Sequence, residues 1–498
     1  MTSIDESFLA LPIADLAAVA LQRATDLGAA HADVRVHRKR VGRRMLRDLE
    51  LDRAGDDSVL GLAVRVVHGG AWGFASGITL TADAAAALAE QAVATARVAA
   101  ALTPRPVELA PEPMHTGDWA APSEIDPFTV DETERLGRLR DLSERLLAHP
   151  SVTHTRTMLV YVQETTAYVD TTGTDVRQQR GRIYPAFEAV SVTADGFSSM
   201  RTLAPPTGRG WEYLTGTAWD FDAEIAELGD HLAAHVAAPS VEPGPTDLVI
   251  APTNLWLTIH ESVAHATELD RALGYEAAYA GTSFATVDKL GSLQYGSAAM
   301  NVTGDRTTEH GMATVAWDDE GVAAQRFDIV RDGVLVGYQL NRQMAAERGL
   351  GRSNGCAYAD SPGHIPLQRM PNVSLEPAPD GPGLAELISR VDDGILVEGD
   401  KSWSIDMQRY NFQFTGQRFH RIRNGRLAGQ VRDVAYQATT TDFWGSMEAV
   451  GGPQTYLLAG AINCGKGQPG QEAAVSHGSP AALFRGINIL NTVAEGGQ

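Results

Sequence analysis

The stretch TIHESVAHATELD, residues 258–270, sets His260, Glu261 and His265 in the pattern H-E-x-x-x-H. Neutral imidazoles are good metal donors and a neighbouring carboxylate is a good proton acceptor. The trio therefore suits a metal site with a carboxylate beside it. In the shorter H-E-x-x-H, the two histidines sit about one turn apart on one helix face. This HExxxH motif has one residue more. Five steps of about 100° leave the two side chains about 140° apart on a regular helix. A single wide π-turn absorbs the extra residue and restores alignment. The sequence thus predicts a helix over about 254–273 that widens between His260 and His265.

A catalytic zinc takes three protein donors and keeps a fourth position open. The chain has only two cysteines, Cys356 in SNGCAYADSPGH beside His364, and Cys464 in NCGKGQPGQ. Residue physics barely separates them. The glycines around Cys464 would let backbone approach a crowded site, and a buried, inert thiol is the ordinary role for either.

Three competing patterns carry less. His231 and His235 have i, i+4 spacing but no adjacent glutamate, and they read as an exposed helix face. GAINCGKG, residues 460–467, approaches a phosphate loop, yet Gly467 stands where a hydroxyl is needed and Pro469 would break the following helix. No G-x-S-x-G elbow occurs, so serine hydrolysis has no foothold.

The elements that must position these groups follow from periodicity. Helices are expected over 12–29, 81–100 (capped by Thr81 or Asp83), about 129–148 and about 221–237. Strands are expected over 32–38, 43–50 and 58–67, with several more between 151 and 205. The Pro-rich AAPSVEPGPTD (237–247) reads as a linker. It divides an N-terminal α+β domain, 1–240, with a mixed or antiparallel sheet and flanking helices, from a strand-rich C-terminal domain, 241–498, that carries the metal-binding helix. RDG (331–333) and RNG (423–425) mark hairpin turns. No βαβ rhythm or solenoid repeat appears, and the class expected is α+β. The tract 281–300 reads equally as a cavity lining or a surface loop.

The net charge of −21 argues against a nucleic-acid partner. The one basic cluster, HRKRVGRR (37–44), reads as a solvated face rather than a phosphate site. No apolar run reaches the length of a membrane span, and the N-terminus lacks the pattern of a secretory signal. With no disulfide framework, a reduced, cytoplasmic protein is expected.

The strand-then-helix VIAPTNLWLTIHESVAHATELDRALGYEAAYAGTSF and the distant NCGKGQPGQ together resemble the TldD/PmbA family of metallopeptidases, over essentially the whole chain. The resemblance is to the TldD-type, metal-binding subunit. It implies one Zn2+ per active chain held by His260, His265 and Cys464, with Glu261 as general base, and it assigns Cys356 no role. It also implies unfolded or short peptides as substrates, in precursor maturation or protein turnover. The implied partner is a second identical chain or a metal-free paralogue, enclosing the site in a cavity. The competing readings are a non-catalytic zinc scaffold or regulatory subunit, and a zinc hydrolase or deaminase of small molecules.

Overall fold

The computed structural model describes residues 3–194 and 196–495. Its first half begins with α1 (Ile13–Asp26), β1 (His31–Arg47), β2 (Glu50–His68), β3 (Ala71–Gly77), α2 (Ala82–Ala100) and β4 (Thr116–Ala120). It continues with α3 (Glu132–Leu147), β5 (His154–Asp170), β6 (Asp175–Thr193), β7 (Gly196–Arg201) and α4 (Phe221–Ala237). The strands form one sheet in the order β3-β2-β1-β5-β6-β4, with β7 also beside β6. All pairings are antiparallel except β4 with β6.

Alternation along β1 assigns its two faces. Val34 and Val36 pack with Leu62 and Val64 under the small-residue stripes of α1 and α2, including Ala20, Ala89 and Ala92. Farther along, α3 and α4 cover Leu159 and Phe187 with Leu139, Leu142 and Leu228. The intervening residues of β1 face the second half of the chain through polar contacts. Arg35 donates to the Ser361 and His364 carbonyls (2.9 and 2.7 Å), and Arg65 pairs with Glu320 (3.0 Å). From β5, Glu164 accepts the Tyr358 hydroxyl at 2.6 Å.

Two expectations fail here. The basic run 37–44 is not a solvated face: His37 is buried, Lys39 reaches the Asp360 carbonyl, and Arg44 is enclosed between Asp56 and Glu132. Lys39 belongs to the polar seam between the two halves of the molecule, and Arg38, Arg43 and Arg44 pair with carboxylates of the first half. The first hairpin was also expected to break before residue 43, but β1 runs unbroken to Arg47. The chain turns at Asp48 and Leu49, both with positive φ (48° and 73°). Neither glycine nor asparagine marks that turn, so nothing in the sequence announces it.

The second half contributes β8 (Gly244–Ile250), α5 (Pro252–Ile259), β9 (Asn372–Leu375), β10 (Asp393–Ile405) and β11 (Asn411–Arg423). Then come β12 (Val434–Thr439), β13 (Leu457–Lys466), β14 (Gln471–Ser479) and β15 (Ala482–Asn491). Five strands run β10-β8-β15-β12-β11, and β11 pairs back to β10, so the sheet closes on itself. β13 and β14 form a separate hairpin. The RDG and RNG turns are where the sequence put them, with Asp332, Gly333, Asn424 and Gly425 all at positive φ. The molecule is α+β. Among the described residues no helix is long and apolar enough to cross a membrane.

Candidate metal centre

β8 leads directly into α5, which starts with Pro252 at its first turn, where a missing N–H costs nothing. Every side chain from Asn254 to Arg271 is buried. After Ile259 the helix widens: residues His260–Ala264 form a π-turn, and the His265 N–H reaches back to the His260 carbonyl. A short 3-10 turn, His265–Thr267, follows, and the chain leaves helical geometry at Glu268.

Widening and termination strip carbonyls of their ordinary partners, and buried carbonyls need replacements. The Tyr295 hydroxyl donates to the Ser262 carbonyl, and the Gln339 amide donates to the Ala264 carbonyl. Trp444 Nε1 fixes the Ser262 hydroxyl at 2.9 Å, and Ser283 Oγ caps the Ala266 carbonyl at 2.6 Å. The tract 281–300 therefore buttresses this helix through its buried Ser283 and Tyr295, while the stretch between them reaches the surface at Gly291 and Ser292.

The widened turn brings the two imidazoles together, with ring centroids 4.7 Å apart. Cys464, near the end of β13, places Sγ 3.3 Å from His260 Nε2 and 3.4 Å from His265 Nε2. The three donor atoms lie within 4.8 Å of one another, and all three residues are buried. Zinc bonds of about 2.0 Å to nitrogen and 2.3 Å to sulfur, at tetrahedral angles, put N and S about 3.5 Å apart. The donors are thus spaced for a single tetrahedral ion.

Protonation agrees with that fit. Burial pushes His260 down to about 4 and also lowers His265, so both rings are neutral donors near pH 7. Burial alone would raise the Cys464 thiol, but neighbouring positive charge, Arg369 foremost, outweighs it and holds it below its usual value. Arg369 also donates to the Cys464 and Gly465 carbonyls (2.8 and 3.2 Å).

Glu261 forms an ion pair with Arg409, which stands at φ +63° in the loop between β10 and β11. Asp406 builds that loop, accepting from the Gln408, Tyr410 and Asn411 N–H groups. Around the donors lie groups that sequence reasoning missed. Glu268 accepts from His265 Nδ1 at 3.0 Å, and His477 on β14 meets His260 Nδ1 at 2.7 Å. Lys466 Nζ, fully enclosed, contacts Asp270 (2.9 Å), Glu276 (3.0 Å) and Glu268 (3.3 Å). Glu268 was visible as the third residue after His265. His477, Arg409 and Lys466 reach the centre from remote segments and left no local signal.

The competing residues lie elsewhere. Cys356 is outside the cluster, and burial pushes its thiol up to about 12, which leaves it inert. His364 pairs with Asp360, and His231 packs against His420 on the face of α4. GAINCGKG is strand up to Lys466, whose ammonium is spent on carboxylates.

Comparisons with known proteins agree with the geometry. A family model described as the PmbA/TldA metallopeptidase C-terminal domain matches residues 243–491, and one described as domain 1 of the same metallopeptidase matches 32–96. A metalloprotease of Methanothermobacter thermautotrophicus is 24% identical, covering 93% of this chain and 96% of the relative. A protein of Saccharolobus solfataricus named zinc metalloprotease TldD homolog is 22% identical, covering 54% and 57%. The crystal structure of TldE from Thermococcus kodakarensis shares the fold, with a TM-score of 0.72 at 14% identity, covering 94% and 98%.

Proposed function

The chain belongs to the PmbA/TldA metallopeptidase family, and from that premise we propose that it is a zinc-dependent peptidase of short or unfolded peptides. His260, His265 and Cys464 hold the ion, and Glu261 is the general base. The single observation that carries this reading is the convergence of the two Nε2 atoms and one Sγ on one point. A structural zinc is normally closed by four protein ligands. Among the described residues, the converging donors number three, which favours a peptidase over a zinc-bearing scaffold.

Bound zinc supplies the Lewis acidity that makes water nucleophilic near neutral pH and polarises a carbonyl. The protein's own groups do the rest. Glu261, next in sequence to a donor, accepts the proton of the attacking water at its carboxylate and passes it to the departing amine. Arg409 pairs with that carboxylate and fixes its direction. Arg369 favours the thiolate of Cys464, and Glu268 sets the ring orientation of His265.

The same proposal includes the division at 240/241, a cytoplasmic setting, and a dimer of identical chains or with a metal-free paralogue. The likeness to TldE supports the paralogue. Precursor trimming and protein turnover are the roles that fit such substrates. Incubation with a mixed peptide library, read by mass spectrometry, tests the function. Cleavage should occur with wild type and vanish with a chelator and with Glu261→Gln. Intact peptides from the metal-loaded wild type would overturn the peptidase reading.

A further inference from the structure

His260 and His265 share one ion in the proposed centre, yet their second nitrogens are held by chemically different partners. His265 Nδ1 faces the Glu268 carboxylate at 3.0 Å. A carboxylate only accepts, so the proton must sit on Nδ1 and the lone pair on Nε2. His260 Nδ1 instead faces His477 Nε2 at 2.7 Å. An imidazole nitrogen either donates or accepts, so this contact alone leaves the His260 tautomer open.

The next bond resolves it. His477 Nδ1 lies 2.9 Å from the Val373 carbonyl on β9. A backbone carbonyl only accepts, so His477 Nδ1 carries a proton. His477 is fully buried, its ring nitrogens have His260 and that carbonyl as hydrogen-bond partners among the described residues, and a second proton there would be a buried charge with no carboxylate partner among them. Its Nε2 is therefore a lone pair, and His260 Nδ1 must donate to it. The His260 lone pair is then confined to Nε2, which faces Cys464 Sγ at 3.3 Å. The opposite tautomer would place two lone pairs against each other at 2.7 Å and aim an N–H at the metal position.

We propose that His477 is a positioning residue of the metal centre: it relays the polarity of the Val373 carbonyl to His260 and locks that ring as a metal donor. The inference rests on the three-donor reading above. The surroundings hold the relay still. Trp256 lies parallel to the His477 ring, 10° between planes and 6.3 Å between centroids. The neighbours of His477 are tied down as well, Ser476 Oγ accepting from Met312 N (3.0 Å) and Gly478 N donating to Ser374 Oγ (2.9 Å). A neutral relay on one ring and a carboxylate on the other orient both donors while adding only one negative charge to the centre.

The experiment separates an acceptor at position 477 from a mere space filler. Zn2+ affinity would be measured by competition with a chromophoric chelator, and Co2+ would be bound to the same full-length proteins for its absorption spectrum. His477→Phe keeps a ring without an acceptor. His477→Gln and His477→Glu each return an oxygen that accepts from His260 Nδ1. The expected result is Zn2+ binding weaker by about 10–100-fold in His477→Phe, with an altered Co2+ spectrum. His477→Gln and His477→Glu should recover most of the affinity and the wild-type spectrum. Affinity unchanged in His477→Phe overturns the proposal. So does an equal loss in all three variants, since packing alone would then be the role. Should His477→Phe fail to fold, Gln and Glu still decide, because a loss in both contradicts the relay. A wild type that binds neither Zn2+ nor Co2+ would instead sink the three-donor centre itself, a distinguishable failure.

Discussion

Helix α2 and the segment from Pro252 to Thr267 are of similar length and follow opposite rules. α2 is regular throughout, begins at a Thr81 cap, buries one stripe of alanine, leucine and valine, and shows its other face to water. The segment that carries the proposed histidine donors has no side-chain cap, is enclosed from Asn254 onward, and changes from α to π to 3-10 along its length. The first closes its own hydrogen bonds, whereas Tyr295, Gln339, Trp444 and Ser283 complete the second from outside. A self-sufficient helix needs only its pattern. A helix bent to a chemical purpose needs a surrounding that over-determines it.

The largest effects should therefore fall in the second region, and on function before stability. Glu261→Gln should lower peptide hydrolysis by about 10²–10⁴-fold while Zn2+ stays bound, read by turnover alongside metal content. Retained hydrolysis would remove Glu261 as the base. Next comes Lys466→Met. It leaves Glu268, Asp270 and Glu276 with a buried cation missing, and breaking such a cluster costs about 3–5 kcal/mol. Denaturant unfolding would measure it, and a cost below about 1 kcal/mol would show that the cluster relaxes or is hydrated.

A paired test then sets the two helices against each other. Tyr295→Phe removes one hydroxyl and leaves the Ser262 carbonyl unsatisfied within the widened turn, at a cost of about 1–3 kcal/mol. It should also weaken Zn2+ binding, because that carbonyl lies between the two histidine donors. Thr81→Ala removes the cap of α2, a long bond of 3.4 Å at an exposed end, and should cost no more than about 1 kcal/mol with Zn2+ affinity unchanged. Equal effects on metal binding would erase the distinction between the two helices.

The same contrast explains what could be read in advance. The bounds of α1, α2 and α4 lie within a few residues of those drawn from periodicity, since each helix is written in its own stripe. The turns at Asp332-Gly333 and Asn424-Gly425 were legible from their chemistry, and the one at Asp48-Leu49 was not. At the centre, the extra residue of the HExxxH motif foretold the π-turn because geometry left no other way to align the rings. Spacing could not choose Cys464 over Cys356. Nor could it find His477, which meets His260 across 217 residues of sequence through the register of a separate hairpin. Contacts of that kind are properties of the closed fold and have no local spelling.

The smallest effect should come from the solvated side of the first region. Asp222, at the start of α4, is clasped by Arg138 and Arg145 of α3, and hydrogen bonds from both arginines lower its pKa to about 2. A carboxylate with a depressed folded-state pKa adds stability above its unfolded value, near 3.8, and loses it as pH falls toward about 2. Because 51% of the Asp222 side chain is exposed, solvent screening reduces what the shift would otherwise represent. Asp222→Asn should thus cost no more than about 1 kcal/mol at pH 7, less in high salt. The difference between variant and wild type should shrink below pH 4 and vanish near pH 2. A cost as large as that of Lys466→Met would mean that the first half also depends on enclosed charge, and the contrast between the two regions would fail.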